Sequence, residues 1–283
     1  LQVKLAKEMG FCFGVRRAVE RVEKVTADGR PVSVLGALVH NPQVIAELRT
    51  RGVRMVASVD EVKNGTLVIP SHGAPPEVFE MARRKALDVV DATCPFVRVA
   101  QKAAEELAAE GFQVILLGDQ AHTEVKGIVG WAGGKAVVAG DPDEIDLSRL
   151  ANRVGIMAQT TQPLERLQAL ANRVVNESLG ELKELRVMNT ICSATAARQA
   201  AAVELAGEVD VMVVVGGKTS ANTRRLLEMC RAAGVEAHQV EEAGELDEKW
   251  LTGRETVGVT AGASTPDKVT RDVVERILLL GSE

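Results

Sequence analysis

The strongest constraint on this chain is a repeat carried by positions more than by local similarity. Cys12, Cys94 and Cys192 each stand between the end of a β-branched run and the start of an amphipathic one, and each is followed 28 positions later by a polar residue in another such loop: His40, His122 and Ser220. A second loop of the same kind follows in each third and carries His72, Thr160 and Ser264. Self-similarity at a fixed period predicts copies of one supersecondary unit, here three α/β units of roughly 90 residues each. The alternation of short β-branched runs with Ala- and Glu-rich amphipathic segments predicts mostly parallel sheets. Strands are expected at 32–35, 66–69, 89–91, 113–117, 154–157, 186–189, 210–215 and 256–259, with helices at 100–110, 164–176, 194–206, 223–233 and 267–280.

The expected units are residues 12–92, 93–190 and 191–283, with an N-terminal strand inside 1–11 joining the third. Ligands of parallel α/β sheets bind outside the carboxyl ends of the strands, where loops and helix N-termini point the same way. Three units about a pseudo-threefold axis would bring three cysteines and six polar loops to one centre.

Composition removes several function classes. The net charge is −5 and the 34 Lys and Arg are spread through the chain, without the clustered basic footprint of a nucleic-acid binder. Aromatic residues make up 2% and Tyr is absent, so there is no stacking platform for bases. No apolar run approaches the roughly 20 residues that span a bilayer, and the N-terminus reads as a strand and a Gly-rich turn, unlike a signal peptide. A cytoplasmic protein without membrane or nucleic-acid partners is expected. The four cysteines lie far apart and form no Cys-x-x-Cys pair, so thiols or metal ligands are expected in place of a disulfide framework.

Three of those cysteines begin helices, in Gly10-Phe11-Cys12-Phe13-Gly14, Asp91-Ala92-Thr93-Cys94-Pro95 and Asn189-Thr190-Ile191-Cys192-Ser193. The helix dipole and the first N–H groups favour thiolate there, and thiolate is the form that binds soft metals. Three thiolates suit a 4Fe-4S cluster with its fourth iron open to substrate. Cys230 sits inside a predicted helix and reads as a small buried hydrophobe.

His40, His72 and His122 follow strands and can donate to an anion. With Thr160, Ser220, Asn222 and Ser264 they form a donor set, without Lys or Arg at the motif positions, that suits a compact diphosphate. Zinc on three imidazoles is the alternative. Glu124 is the candidate acid, with Thr160 and Thr161 as a hydroxyl relay, against the reading of a solvated helix-start residue. Gly216-Gly217-Lys218-Thr219 lacks the spacing of a nucleotide phosphate loop, and His238 falls outside the repeat.

In order along residues 10–267, the motifs Gly-Phe-Cys-Phe-Gly-Val, Val-His-Asn, Ser-His-Gly, Asp-Ala-Thr-Cys-Pro, Ala-Gln-Thr-Thr, Asn-Thr-Ile-Cys-Ser-Ala-Thr and Thr-Ala-Gly-Ala-Ser-Thr-Pro-Asp resemble those of the 4-hydroxy-3-methylbut-2-enyl diphosphate reductase family. The resemblance implies three α/β lobes around one central 4Fe-4S cluster held by Cys12, Cys94 and Cys192. It implies a diphosphate pocket of His40, His72, His122, Ser220, Asn222 and Ser264, with Glu124 and Thr160 delivering protons. A small ferredoxin or flavodoxin is the electron donor it implies. Thr123 and Ala221 depart from the commoner Pro and Ser of that pattern, which would loosen the loop aiming Glu124 and remove one phosphate hydrogen bond. The rival readings are a three-cysteine cluster enzyme of the quinolinate synthase type, whose carboxylate substrates call for Arg or Lys at the loop ends, and a non-enzymatic metal-binding module.

Overall fold

Every strand pair in the computed structural model, which describes residues 1–281, runs parallel. The first part of the chain forms β1 (Gln2–Leu5), α1 (Phe13–Ala27), β2 (Val32–Leu35), α2 (Pro42–Thr50), β3 (Arg54–Val56), β4 (Thr66–Ile69), α3 (Pro76–Arg84) and β5 (Asp88–Asp91). The middle forms α4 (Pro95–Ala109), β6 (Gln113–Leu117), α5 (Thr123–Trp131), β7 (Val137–Ala139), β8 (Arg153–Ala158), α6 (Leu164–Ser178) and β9 (Glu184–Met188). The last part forms α7 (Ser193–Ala206), β10 (Val211–Val215), α8 (Ala221–Ala232), β11 (Glu236–Val240), β12 (Thr256–Ala261) and α9 (Asp267–Leu280). The final two residues of the third expected span lie outside the described residues.

The strands make three four-stranded sheets, ordered β3-β2-β4-β5, β7-β6-β8-β9 and β11-β10-β12-β1. The order is the same each time, with one circular shift: the strand that closes the last sheet comes from the N-terminus, pairing Gln2 with Thr256 and Leu5 with Val259. In each sheet a cysteine follows one outer strand (β5, β9 or β1), while the polar residue 28 positions after the preceding repeat's cysteine and the second polar loop follow the two inner strands. A parallel sheet is covered on both faces, so its inner strands read as continuous apolar runs. All of Val211–Val215 is buried accordingly.

The chain divides into two compact units. One comprises Leu1–Arg16, Val39–Glu47 and the segment from Ser193 onward; the other comprises Arg17–Leu38 and Leu48–Cys192. In the first, the period of two along β10 sends Val211, Val213 and Val215 to one face against Val273 and Ile277 of α9. Met212 and Val214 go to the other, against Ala202 and Leu205 of α7 and Leu226 and Cys230 of α8. In the second, Ile115, Leu117 and Ile156 pack under Leu167, Leu170 and Val174 of α6. Val114, Leu116 and Met157 face Ala100, Ala104 and Leu107 of α4 and Val125 and Ile128 of α5.

The expected helix at 100–110 starts five residues earlier, because Pro95 takes the first helical position directly after Cys94. Proline is favoured there: its missing N–H would have no intrahelical partner, and its φ is already helical. Among the described residues no helix is long and apolar enough to cross a membrane.

Candidate functional site

The three cysteines are wired to the polar loops by one repeated backbone bond. Cys12 N–H donates to the Ala263 carbonyl, Cys94 N–H to that of Ser71 and Cys192 N–H to that of Thr160, each at 3.0 Å. Each acceptor lies at or just before the polar residue of the second loop: Ser264, His72 and Thr160. The approach to the cysteine is also repeated. Asp91 Oδ1 accepts from Thr93 N–H at 3.0 Å and Asn189 Oδ1 accepts from Ile191 N–H at 3.1 Å. These are Asx turns, in which a short polar side chain stands in for a backbone acceptor and bends the chain. They sit three residues before Cys94 and Cys192 and explain why Asp and Asn open those two motifs.

In the larger unit, Glu124 lies in the first turn of α5 and is 3% exposed. Thr160 clamps its carboxylate from one side, donating its backbone N–H to Oε1 at 2.8 Å and its hydroxyl to Oε2 at 3.0 Å. Burial disfavours the charged form and the two Thr160 bonds favour it; burial wins, and the pKa rises from 4.5 to about 6. The solvated reading of Glu124 is therefore wrong. His122 caps α5, its Nδ1 accepting the Glu124 N–H at 3.1 Å, which puts the proton of the neutral ring on Nε2. The His72 ring meets His122 edge to face at a centroid distance of 5.5 Å. Ser71, beside His72, donates its hydroxyl to the Leu38 carbonyl at 2.9 Å and so pins that turn. Through the Thr160 carbonyl, the clamp on Glu124 and the mount of Cys192 are one piece of backbone.

In the smaller unit, Cys12 precedes α1 and its Sγ accepts the Val15 N–H at 3.4 Å, so the sulfur faces the first turn of the helix. Arg198 of α7 donates to the Gly10 carbonyl at 3.1 Å and holds the turn before this cysteine. His40 and Ser264 meet directly, the serine hydroxyl donating to the His40 carbonyl at 3.1 Å. Burial first, and the charge of Arg224 second, hold the His40 imidazole below its usual pKa, so it is neutral at pH 7. Ser220 caps α8, its Oγ accepting the Thr223 N–H at 3.3 Å. Asn222, the second residue of α8, is 5% exposed, and neither its amide N nor its O meets a protein partner among the described residues. Buried polar groups are almost always paired, so two open amide atoms in the first turn of a helix point to a ligand.

The residues set aside by the sequence reading have structural employment. Cys230 lies in the aliphatic layer under α8, and burial pushes its pKa up to about 11, which suits an inert thiol. His238 stacks on Trp250 at 4.0 Å and contacts Glu236 at 2.8 Å. Lys218 pairs with Glu245 at 2.5 Å, which takes up the cation of the Gly-Gly-Lys-Thr segment. Thr123 occupies the first position of α5, where Pro is the favoured residue, and two bonds from Thr160 hold the Glu124 carboxylate. Sequence reasoning missed Gln101 of α4, fully buried below the His72–Gly73 turn; its only signal is a polar residue on an otherwise Ala-rich helix face.

Comparison with known proteins gives a consistent result over the whole chain. The family model described as LytB protein matches residues 3–278. A 4-hydroxy-3-methylbut-2-enyl diphosphate reductase of Geobacter sp. (strain M21) is 48% identical over 279 residues, covering 98% of this chain and 97% of the relative. That of Pelobacter propionicus is 45% identical over 277 residues, 98% of each chain. Among solved structures, the E-1-hydroxy-2-methyl-but-2-enyl-4-diphosphate reductase of Plasmodium falciparum superimposes with a TM-score of 0.90 at 27% identity, over 96% of this chain and 86% of that one. A second, (E)-4-hydroxy-3-methyl-but-2-enyl diphosphate reductase, the terminal enzyme of the non-mevalonate pathway, is 41% identical with a TM-score of 0.69, over 98% of this chain and 99% of that one.

Proposed function

Since the chain belongs to the LytB family, we propose that it catalyses the reductive dehydroxylation of (E)-4-hydroxy-3-methylbut-2-enyl diphosphate to isopentenyl and dimethylallyl diphosphate, the terminal step of the non-mevalonate pathway. The reaction breaks one C–O bond, consumes two electrons and two protons, and releases water. The observation that carries the reading on this chain's own residues is the buried Glu124, held by Thr160 with a pKa of about 6. An acid works best with a pKa near the operating pH, where it is both available and willing to give up its proton.

Cys12, Cys94 and Cys192 are the residues that would hold a 4Fe-4S cluster. Their fit rests on three features: each is a half-buried cysteine outside any disulfide, each is mounted by its own N–H on a strand-end loop, and Cys12 Sγ already accepts a helix N–H. When bound, such a cluster supplies electrons singly and a Lewis-acidic iron open to the substrate's hydroxyl. A small ferredoxin or flavodoxin would reload it, in a cytoplasmic setting that keeps thiols reduced.

The protein's share of the chemistry is binding, orientation and proton delivery. His40, His72, His122, Ser220, Asn222 and Ser264 bind the diphosphate through hydrogen bonds without a cationic side chain among them. His40 is neutral and His122 has its proton on Nε2, so both imidazoles act as dipolar donors. Holding the remote diphosphate fixes where the C4 hydroxyl lies, which is the entropic part of catalysis. Glu124 then gives its proton, with Thr160 as the adjoining hydroxyl, to the departing oxygen, which leaves as water. The second proton, delivered to either end of the allyl fragment, decides between the two products, and the substrate's own diphosphate can supply it.

Glu124→Gln tests the assignment. The amide preserves the shape and accepts the Thr160 N–H, so iron content and substrate affinity are expected to stay near wild type while turnover falls at least 100-fold, the lower range for a general acid. Near-normal turnover in the anaerobic variant would remove Glu124 from the mechanism.

A further inference from the structure

Three features of the larger unit meet at one point, and each costs stability there. Gln101 is fully buried on α4, yet neither its carboxamide N nor its O has a protein hydrogen-bond partner among the described residues. Gly73 directly follows His72 at φ +74°, and a Cβ there would stand 2.3 Å from Gln101 Nε2 and 3.2 Å from Thr93 Cγ2. Gly127 lies inside α5, one turn beyond Glu124, and a Cβ there would stand 3.3 Å from the same Nε2. Packing alone would be better served by an aliphatic side chain at 101 and alanine at 127. A buried unpaired amide and a glycine inside a helix each lower stability. Sequences break such local rules chiefly where function requires it. The amide adjoins the turn of His72 on one side and the helix of Glu124 on the other, and α4 itself begins at Cys94.

We propose that Gln101 is a positioning residue for the reaction, setting the His72–Gly73 turn and the first turns of α5 against each other through its carboxamide. It touches neither substrate nor the reacting atoms. The two glycines let that amide in: the His72–Gly73 turn comes closer to it than a β-carbon would allow, and α5 comes close enough that a β-carbon at 127 would crowd it. Relaxing the seam displaces a diphosphate-binding imidazole relative to the acid, so its loss appears in substrate binding and in the pH dependence of turnover before it appears in stability. The proposal rests on the roles given above to His72 and Glu124.

The test uses the anaerobically purified, cluster-loaded enzyme with Gln101→Met, which keeps length and volume and removes both polar atoms. The expected result is wild-type iron content, a melting temperature equal to or above wild type, a KM for 4-hydroxy-3-methylbut-2-enyl diphosphate raised about tenfold, and a shifted acid limb of the kcat profile. Gly127→Ala crowds the same Nε2 from the helix side and is expected to raise KM without lowering the melting temperature; it also serves if the methionine variant fails to fold. Wild-type KM and pH profile in the variants that fold, or a lower melting temperature with unchanged KM, would reduce Gln101 to a structural residue and overturn the proposal. His72→Asn is assayed alongside: normal KM there would fail the underlying site assignment, while raised KM there with normal KM in the Gln101 and Gly127 variants fails this proposal alone.

Discussion

Thr160→Val removes one of the two donors on the buried acid and leaves the other, the backbone N–H at 2.8 Å, in place. Folding raises the Glu124 pKa from 4.5 to about 6, so the native state favours the protonated form. The carboxyl therefore costs no stability below about 4.5, and the cost grows as pH rises toward 6 and is complete above it. At about 1.4 kcal/mol per pKa unit, that cost is about 2 kcal/mol at neutral pH. Deleting the hydroxyl takes away an interaction made mainly with the ionised form, so the pKa climbs further, by about one unit, and the cost at pH 8 grows by about 1.4 kcal/mol. Urea midpoints measured from pH 4 to 8 on wild type, Thr160→Val and Glu124→Gln read the effect directly. Wild type is expected to lose stability relative to Glu124→Gln across pH 4.5–6, and Thr160→Val to extend that loss to higher pH. The carboxylic C=O stretch, isolated by subtracting the Glu124→Gln infrared spectrum, should persist about one pH unit higher in Thr160→Val. A titration that stays put or moves down would refute the balance of burial against hydrogen bonding on which the acid assignment rests.

Two further outcomes follow from the site. Serine at Cys12, Cys94 or Cys192 is expected to deplete bound iron, whereas Cys230→Ser keeps it, because Cys230 is sealed in the aliphatic layer of α8; equal iron in all four variants would break the ligand assignment. Gly217→Ala would place a Cβ 2.6 Å from the His40 carbonyl that Ser264 also contacts. It is expected to cost about 1–3 kcal/mol of stability and to raise KM, and a variant with wild-type KM would show that the His40 loop does not serve binding.

The repeat was readable because its chemistry sits at fixed offsets from strand ends, and the common strand order of the three sheets is its structural form. The inner strands announced themselves as apolar runs. Less visible were β3 and β7, three residues each, which are too short to show a period. The helix α5 was hidden by Gly127 and Gly130, poor helix formers that are there for close approach: a Cβ at Gly130 would stand 2.3 Å from Pro75 Cβ. The behaviour of Glu124 was the hardest to foresee. Its position beside His122 suggested an acid, but only tertiary packing shows that Thr160, 36 positions away, grips both carboxylate oxygens. Gln101 was invisible for the same reason: its neighbours Gly73 and Gly127 are remote in sequence, and glycine gives no hint of what approaches it.

The most direct test of the central claim is anaerobic reduction of 4-hydroxy-3-methylbut-2-enyl diphosphate with a dithionite-driven viologen donor, with iron and sulfide quantified on the same sample. Conversion to isopentenyl and dimethylallyl diphosphate is expected from protein carrying about four irons per chain, the content of a single 4Fe-4S cluster. A fully loaded protein that leaves this substrate untouched would contradict that claim.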